Sequence, residues 1–434
     1  MRDFRNFLRR VFVLSFSGGW MFYGWMAILS VIAAMGAHSF FAQMVEGLQT
    51  TGMTDQVSWG VYIANFTFLV GLAAAAVMIV IPAYIYRNKD MYEVVLFGEL
   101  LAIAAMISCL LFVIADLGRP DRMWHLLPVI GEFNFPVSML AWDVIVLNGY
   151  LLLNMFICGY LLYTKYMGRR PNALLYVPFV IISIVWAIST HTVTAFLYVG
   201  LSGRPFWNTA IVAPRFLASA FTAGPGLLII AFQVIRMASD YRISDSVLHL
   251  LRNIVTASLL INLFLLVCET FKEFYAPTVH SASAHYLFFG LEHHGHHYAK
   301  LVPWIWSAIA IEIIAAFILV IPKIARRLAY LNVACVLAIV GIWIEKGMGL
   351  VVPGFVPSPQ GSIVEYSPTW PETLISFGIW AFGLLLYSWM LHIAIPILGG
   401  KFHAPRRGEV LPGNSSLDLS ATPHTTPCNA EATE

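Results

Sequence analysis

Residues 57–86 read VSWGVYIANFTFLVGLAAAAVMIVIPAYIY, a run of 30 residues without a charged side chain. A helix needs about 20 apolar residues to cross the hydrocarbon core of a bilayer. The run is continuously apolar rather than alternating, which favours a helix over the strand of a membrane barrel. The ten predicted spans of this kind are residues 20–42, 57–86, 92–116, 136–164, 173–199, 209–235, 253–274, 303–322, 328–350 and 373–398. The sequence therefore predicts an all-α integral membrane protein with ten transmembrane helices.

Positive charges fall unevenly into the loops between these spans. Eighteen of the 25 Lys and Arg residues lie at the N-terminus, in alternate loops or after the last span. The other seven, which include Arg215, Lys272 and Lys346, are assigned to the intervening loops. Because cytoplasmic loops carry an excess of cations, we expect a cell-membrane protein with both termini in the cytoplasm. These cations follow the topology and do not indicate a nucleic-acid partner, and no cleavable signal peptide is expected.

The composition excludes several classes of function. Hydrophobic residues make up 59% of the chain and charged residues 11%, and no GxxxxGK[ST] loop of a nucleotide-hydrolysing motor is present. Cys109, Cys158, Cys268 and Cys335 fall in separate spans and Cys428 in the tail, without CxxC or CxxCH spacing. We therefore expect no metal site, haem or iron-sulfur cluster within this chain. The tail from 408 to 434, rich in Ser, Thr and Pro, is predicted to be disordered.

Ionisable residues inside the spans are candidates for function, because charge at membrane depth is costly. By position, Glu312 lies near the middle of its span and Glu99 toward the cytoplasmic end. The residues toward the outer ends are Asp143, His191, Glu269, Glu273 and Glu345. Titratable groups at graded depths indicate a proton path. The alternative is that the outer groups simply reach interfacial water. We favour this alternative for Glu273 and Glu345 but not for Glu312 and His191.

Two outer segments carry other candidate binding residues. Trp59, Tyr62 and Phe66 have the spacing of one helix face, and Asp116 to Pro120 closes the third span. An aromatic surface with polar groups suits a quinone head group, although Trp and Tyr at span ends also form ordinary interfacial belts.

The loop after the seventh span contains His280, His285, His293, His294, His296 and His297. We favour a partner-docking surface there over metal or haem ligation.

Several motifs resemble those of the NrfD/polysulfide reductase membrane subunit family. The segment from Ser58 to Ala74 resembles the family's first core helix, and residues 116–122 and 213–225 resemble later motifs. The extra first and tenth spans and the motif from His191 to Phe196 are most similar to DsrP-type subunits of sulfite-reduction complexes. The corresponding subunit of high-molecular-weight cytochrome complexes is a close alternative.

This resemblance implies a domain organisation. The expected regions are a cytoplasmic N-terminus with the first helix (1–56), a first four-helix bundle on the quinone side (57–208), a second bundle with a proton path (209–350), an outer loop with the tenth helix (351–400) and a cytoplasmic tail (401–434). It also implies a quinone, menaquinone or ubiquinone, and partners linked to sulfur metabolism. These partners are an external iron-sulfur subunit, a multihaem cytochrome c, and a second membrane subunit with haem b and its cytoplasmic iron-sulfur subunit.

The chemistry expected of this chain is that of a quinone site with a proton route. We assign His191 to one quinone carbonyl and its proton, because imidazole titrates near neutrality. The residues expected to shape the quinone pocket are Trp59, Tyr62, Asp116, Arg119 and Thr194. Those expected on the proton path are Glu99, Arg215, Glu269, Glu312 and Glu345. Two alternatives stay open, a membrane anchor for redox subunits and a secondary transporter with midplane carboxylates.

Overall fold

The computed structural model describes residues 2–74, 76–127, 129–275, 278 and 281–404. Several parts of the sequence discussed above fall outside the described residues: the tail from 408 with Cys428, two of the cations after the last span (Arg406 and Arg407), and His280.

The chain begins with α1, Arg2–Ser15, and the first membrane-length helix, α2, Trp20–Glu46. The next helix, α3, spans Val61–Ala74 and is followed by α4, Val77–Val80, and a π-helical turn at Ile81–Ile85. Next come α5 (Lys89–Asp116), α6 (Met139–Tyr166), α7 (Ala173–Val199), α8 (Val212–Ala238), α9 (Asp245–Tyr275) and α10 (Ala282–Phe288). The rest comprises β1 (Leu291–His293), β2 (His296–Tyr298), α11 (Val302–Val320), α12 (Pro322–Ala325), α13 (Leu328–Ile342), a π-helical segment (Trp343–Met348), α14 (Gly349–Val351) and α15 (Trp370–Leu398).

Ten helices within the described residues are long and apolar enough to cross a membrane, which confirms the predicted fold class. They coincide with the ten predicted spans, with ends that differ by a few residues. The largest difference is α9, which begins at Asp245 instead of 253. The small antiparallel hairpin of β1 and β2 pairs Leu291 with Tyr298 and His293 with His296. The protein is therefore an all-α integral membrane protein with one short hairpin in a loop.

Hydrogen bonds between loops define the two ends of the helix assembly. Arg10 donates to Tyr166 at 3.1 Å, and Lys401 binds Asp240 at 2.6 Å. These contacts bring α1, the end of α6, the α8–α9 loop and the end of α15 together, and we call this the cation-rich end. Arg204 donates to the carbonyl of Phe355 at 3.1 Å in the opposite group of loops, which we call the cation-poor end.

Helix α3 lies at the centre of the assembly. Every residue from Val61 to Ala74 is buried, and the helix packs against α5, α7, α8 and the π-helical segment. A helix that is apolar all round is expected to be enclosed by other helices rather than by lipid. The central position of α3 is consistent with the lack of charged residues in 57–86. The same position places α3 beside the polar residues of several other helices.

The first and last membrane-length helices, α2 and α15, pack against each other through glycines. A Cβ atom placed on Gly36 would lie 2.5 Å from the Cα of Gly378, and one on Gly378 would lie 2.6 Å from the Cα of Gly36. Small residues at a crossing allow two helices in a membrane to approach backbone to backbone. Most of the rest of α2 is exposed to the surroundings of the protein.

Three expectations about local structure were wrong or incomplete. Trp59 precedes the first residue of α3, Val61, so it does not share a helix face with Tyr62. Lys346 and Arg215 are not loop cations, because Lys346 is buried in the π-helical segment and Arg215 on α8 forms ion pairs with Glu269 and Glu345 between the helices. Removing these two from the loop count strengthens the charge asymmetry between alternate loops. The sequence reading also missed α1, although Phe4, Phe7, Leu8, Val11 and Phe12 have helical spacing.

Candidate functional site

Five polar side chains from α8, α9, α11 and the π-helical segment form what we call the carboxylate network. Arg215 forms ion pairs with both Glu269 and Glu345. The amide of Asn262 donates to Glu345 at 2.8 Å and to Glu312 at 3.3 Å, so one NH2 group bridges two carboxylates. All four predicted members of the second-half proton path thus lie together, and Asn262 joins them without having been predicted.

The network borders two small cavities. One is lined by Arg215, Glu269, Glu345 and Lys346 among others, and the second extends from Arg215 and Glu269 to Glu273. Each has room for about one water molecule rather than for an aromatic ring. Glu273 also pairs with Lys272 at 2.7 Å, near the end of α9. The geometry therefore suits water and protons better than a larger ligand.

His191 on α7 is fully buried and contacts the second half of the chain. Its Nε2 atom lies 2.7 Å from the carbonyl oxygen of Phe216 and 2.8 Å from Nζ of Lys346. Its Nδ1 atom is buried and has no hydrogen-bond partner among the described residues. Lys346 also lies over the ring of Phe216, 4.2 Å from its centroid. The sequence reading missed Lys346 as a partner of His191, because a cation near a span end resembles a loop residue.

A second buried pair lies one helical turn from His191. The Thr194 hydroxyl lies 2.8 Å from a carboxylate oxygen of Asp143 on α6 and 3.0 Å from the carbonyl oxygen of Thr190, and its single hydrogen can be donated to either acceptor. Both side chains are buried. Further toward the cation-poor end, the hydroxyls of Thr67 and Tyr198 lie 2.5 Å apart. The face of α7 that meets α3 and α6 is therefore polar over about two turns.

Trp59 lies in an aromatic cluster at the cation-poor end. Its ring is 5.6 Å from those of Tyr198, Trp207 and Phe355, and it stacks on Trp207. The indole of Trp207 donates to the carbonyl of Leu350 at 2.8 Å. These contacts pack the segments before α3 and after α7 against α14 and the helical turn at Pro353–Phe355.

Tyr62 belongs to a different group of polar residues at the same end. Its hydroxyl donates to Gln43 at 2.7 Å, and Gln43 donates to the carbonyl of Ala115 at 2.8 Å. Next to Ala115, one oxygen of Asp116 is buried without a partner in the described part of the chain. Gln43 was not predicted, because the predicted first span ends at residue 42, whereas α2 extends to Glu46.

The loop before α15 is held at this end by a buried tyrosine. Tyr366 donates to Glu372 at 2.8 Å and accepts from the backbone amide of Val61 at 2.9 Å. Burial and the neighbouring Glu372 carboxylate raise the pKa of the Tyr366 phenol well above its usual range, so it remains a donor. Its ring also packs directly against Gly60.

Tyr62 and His191 lie at different depths. His191 contacts α3 at Gly71, where an added Cβ would be 3.4 Å from Cε1 of the imidazole. Tyr62 precedes Gly71 by nine residues, which corresponds to about 13 Å along the helix. A single quinone ring is too small to contact both side chains. The structure therefore brings Thr194 and His191 together but separates them from Tyr62 and Asp116.

Two other predicted residues lie apart from these groups. Arg119 has a side chain that is 67% exposed, and it pairs with Asp121 at 2.9 Å. Glu99 is buried on α5, where the thiol of Cys158 donates to it at 3.5 Å. Glu99 is therefore separate from the carboxylate network in the second half of the chain.

The histidine-rich loop forms the hairpin of β1 and β2. His294, His296 and His297 are exposed, and His293 packs against His294 with ring centroids 4.0 Å apart. His285 lies on α10 instead and contacts Phe274. Within the described residues, no group of three or more His, Cys, Asp or Glu side chains has the arrangement needed to hold a metal ion.

The family model described as Polysulphide reductase, NrfD, matches residues 49–356. The chain belongs to the NrfD family. The match begins after α2 and ends before α15, so the two helices joined through Gly36 and Gly378 flank the NrfD region. The polar residues of the candidate site lie inside the matched region, except for Gln43, Tyr366 and Glu372.

The chain is also similar to proteins whose names state a function. The C subunit of selenate reductase from Mesobacillus selenatarsenatis is 25% identical, covering 84% of this chain and 92% of its own length. The Hdr-like menaquinol oxidoreductase integral membrane subunit of Archaeoglobus fulgidus is 21% identical, over 84% and 91%. The menaquinone reductase integral membrane subunit of Nitratidesulfovibrio vulgaris is 22% identical, over 84% and 89%. This chain is thus similar over most of its length to subunits of several reductases and oxidoreductases.

Proposed function

We propose that this protein is the quinone-reactive membrane subunit of a multi-subunit redox complex. The observation that carries the proposal is the fully buried His191, whose Nδ1 atom has no partner among the described residues. A buried polar atom without a hydrogen bond costs about 1–3 kcal/mol. A quinone carbonyl at this atom would remove that cost, because a carbonyl oxygen accepts from an imidazole N–H.

The neighbouring residues fit the same ligand. Thr194 lies one turn from His191 on α7 and forms a buried pair with Asp143 on α6 that can hold and pass a proton. A bound quinone takes up two electrons and two protons when it is reduced to quinol. His191 would hold one of these protons at Nδ1, and the Thr194–Asp143 pair would position the other side of the head group. We propose menaquinone over ubiquinone, because two relatives are named for menaquinone or menaquinol.

The remaining predicted residues receive separate roles. Trp59, Tyr62 and Asp116 lie closer to the cation-poor end, and we assign them to the outer wall of the quinone region in residues 57–208. Arg119 is exposed, so we assign it to contact with a partner subunit. We assign Arg215, Glu269, Glu345 and Glu312 to a proton path in residues 209–350. Glu99, which lies apart, would serve a proton route from the cation-rich end.

We propose that the partners bind as the family resemblance implies. An iron-sulfur subunit would dock at the cation-poor end, which carries the exposed histidine hairpin, and would exchange electrons with the quinone. A multihaem cytochrome c and a second membrane subunit with haem b and a cytoplasmic iron-sulfur partner would complete the complex. The cation-rich end would face the cytoplasm across the cell membrane. The extra helices α2 and α15 support a DsrP-type, sulfur-linked member of the family.

A photoreactive menaquinone analogue tests the proposal. The full chain is purified from its native membranes with any subunits that accompany it, is irradiated with the analogue, and the labelled peptides are mapped by mass spectrometry. We expect labels on α7 near His191 and on the facing parts of α3 and α6, removed by excess menaquinol. The same preparation identifies iron-sulfur and cytochrome subunits.

The outcomes separate the three functions considered for this chain. Accompanying redox subunits without competable labelling would indicate a membrane anchor and contradict the quinone site. A chain that purifies without redox subunits, is not labelled and exchanges a solute in liposomes would be a transporter.

A further inference from the structure

Lys346 connects the two halves of the helix assembly. It extends from the π-helical segment to His191 on α7, with 2.8 Å between Nζ and Nε2. The residue is only 6% exposed, which is unusual for a lysine. Its chain neighbour Glu345 is also buried and binds Arg215 and Asn262. A π-helical turn, often found at functional sites, occurs where these two consecutive residues both face the interior.

The contacts around Nε2 of His191 cannot all be satisfied at once. Nε2 lies within hydrogen-bond distance of both Nζ of Lys346 and the carbonyl oxygen of Phe216. If Nε2 carries a hydrogen, it can donate to Phe216. If Nε2 carries a lone pair, it accepts from Lys346 and faces the carbonyl oxygen without a hydrogen between them. The geometry thus supports two proton arrangements, and Lys346 donates to Nε2 in the second of them.

The charges near Lys346 leave room for one mobile proton. The titratable groups that face this region are Arg215 on α8, His191 on α7, Glu269 on α9, Glu312 on α11, Cys109 on α5 and the neighbouring Glu345. Two cations, Arg215 and Lys346, oppose three carboxylates, so one additional proton makes the group neutral. Uncompensated charge in a membrane interior is costly. We therefore expect the group to exchange single protons rather than to accumulate charge.

We propose that Lys346 is a proton relay between the carboxylate network and His191. In this step an N–H bond of the Lys346 ammonium breaks and an N–H bond forms at Nε2 of His191, which gives a neutral amine and an imidazolium. The imidazolium would then pass its other proton from Nδ1 to the carbonyl oxygen of the quinone as it is reduced, and a carboxylic acid of the network would return a proton to the amine through the cavity that Glu269, Glu345 and Lys346 line. Lys346 is a positioning residue rather than a catalytic residue, because it acts on the quinone only through His191.

This inference rests on the proposed function and accounts for how its two regions communicate. The quinone region and the proton path lie on different helices. Among the described residues, the contact between Lys346 and His191 is a direct polar link between the two. If Lys346 relays protons, the quinone reaction in one half is coupled to the carboxylates in the other half without a large movement of helices.

Replacement of Lys346 by Arg gives the sharpest test. Arginine keeps the positive charge and donor groups but does not release a proton in proteins. Lys346→Met removes both charge and proton, and Lys323→Met, at an exposed site, is the control. Each variant complex is assayed for analogue labelling, for quinol-linked turnover as a function of pH, and for proton release in liposomes.

The expected results distinguish a relay from a structural charge. Lys346→Arg should keep analogue labelling but lose proton-linked turnover by about 100-fold, the scale of a lost acid–base group, together with one ionisation in its pH profile. Lys323→Met should match the wild type. Turnover and proton release of wild-type size in Lys346→Arg would overturn the relay while leaving the quinone site intact. Absence of labelling in the wild type would contradict the proposed function itself.

Discussion

Glu312 packs directly against Gly341, since a Cβ atom added to this glycine would lie 2.5 Å from Cγ of Glu312. The contact joins α11 to α13 in the part of the fold where the carboxylate network is buried. One carboxylate oxygen of Glu312 accepts from Asn262, and the other has no partner among the described residues. The absence of a side chain at residue 341 therefore allows Glu312 to adopt the position seen in the network.

Gly341→Ala should displace Glu312 and destabilise the protein. The added methyl group overlaps the glutamate side chain, and overpacking of this kind costs about 1–3 kcal/mol. Gly226→Ala is a matched control, because an added Cβ there has no neighbour closer than 3.7 Å. Thermal unfolding in detergent should show a lower midpoint for Gly341→Ala alone. Equal midpoints for the two variants would show that Glu312 moves aside without cost.

Glu312→Gln should separate electron transfer from proton movement. Glutamine keeps the shape and a hydrogen-bonding group but does not titrate. In liposomes, this variant should retain quinol-linked electron transfer when the vesicles are uncoupled and lose the pH change across the membrane. Glu93→Gln, at an exposed carboxylate on α5, should behave as the wild type. Unchanged proton movement in Glu312→Gln would make Glu312 a structural residue.

Replacements of His191 should differ according to what they leave for Lys346. Phe removes the contact to Nε2, so Lys346 would keep the Phe216 carbonyl at 3.4 Å and the Phe216 ring as its neighbours. This loss should lower stability by about 1–3 kcal/mol. Gln can still bind Lys346, so His191→Gln should assemble normally and yet lose quinol oxidation. His392→Gln, at a histidine on α15, is the control, and undiminished quinol oxidation in His191→Gln would contradict the assignment.

Gly36→Leu should disrupt the packing of α2 on α15. The new side chain would overlap the backbone of Gly378, with an expected cost of about 1–3 kcal/mol. Gly24→Leu on the same helix should have no effect, because no atom lies within 4 Å of an added Cβ. Both variants can be compared by their yield from membranes and by thermal unfolding. A normal yield and midpoint for Gly36→Leu would mean that the two helices separate without harm.

Reporter fusions should place the two ends of the assembly on opposite sides of the membrane. The excess of Lys and Arg at the cation-rich end predicts that this end is cytoplasmic. A phosphatase fused near His294 should be active, and one fused after Lys401 should be inactive. The reverse pattern would invert the orientation and move the proposed iron-sulfur docking surface to the cytoplasm.

The sequence predicted the ten spans well because hydropathy is a local property. Runs such as residues 57–86 must be helical in a bilayer whatever their neighbours are. The grouping of Arg215 with Glu269 and Glu345 was predicted in part, because a charged side chain inside a membrane is stable only beside a group of opposite charge. Composition does not give the depth of a side chain relative to the side chains of other helices. For this reason Tyr62 and His191 were predicted to share one pocket, although they lie at different depths.

Lys346 shows the limit most clearly. A lysine near the end of an apolar run reads as a loop cation, because hydropathy does not distinguish a buried ion from an exposed one. Its burial depends on the π-helical segment and on His191, 155 residues earlier in the chain. Trp59 was misplaced for a related reason, because the exact first residue of α3 depends on contacts with Tyr366 that lie far away in sequence.

The glycine contact between α2 and α15 also has a consequence for biosynthesis. Among the ten membrane-length helices of the described residues, α2 is synthesised before all the others, and its principal partner α15 is synthesised after all the others. Until α15 is inserted, α2 has little to pack against besides lipid and the polar contacts of Gln43. The contact between α2 and α15 therefore forms only after α15 has been synthesised, and a chain truncated before Trp370 would leave α2 without its main partner.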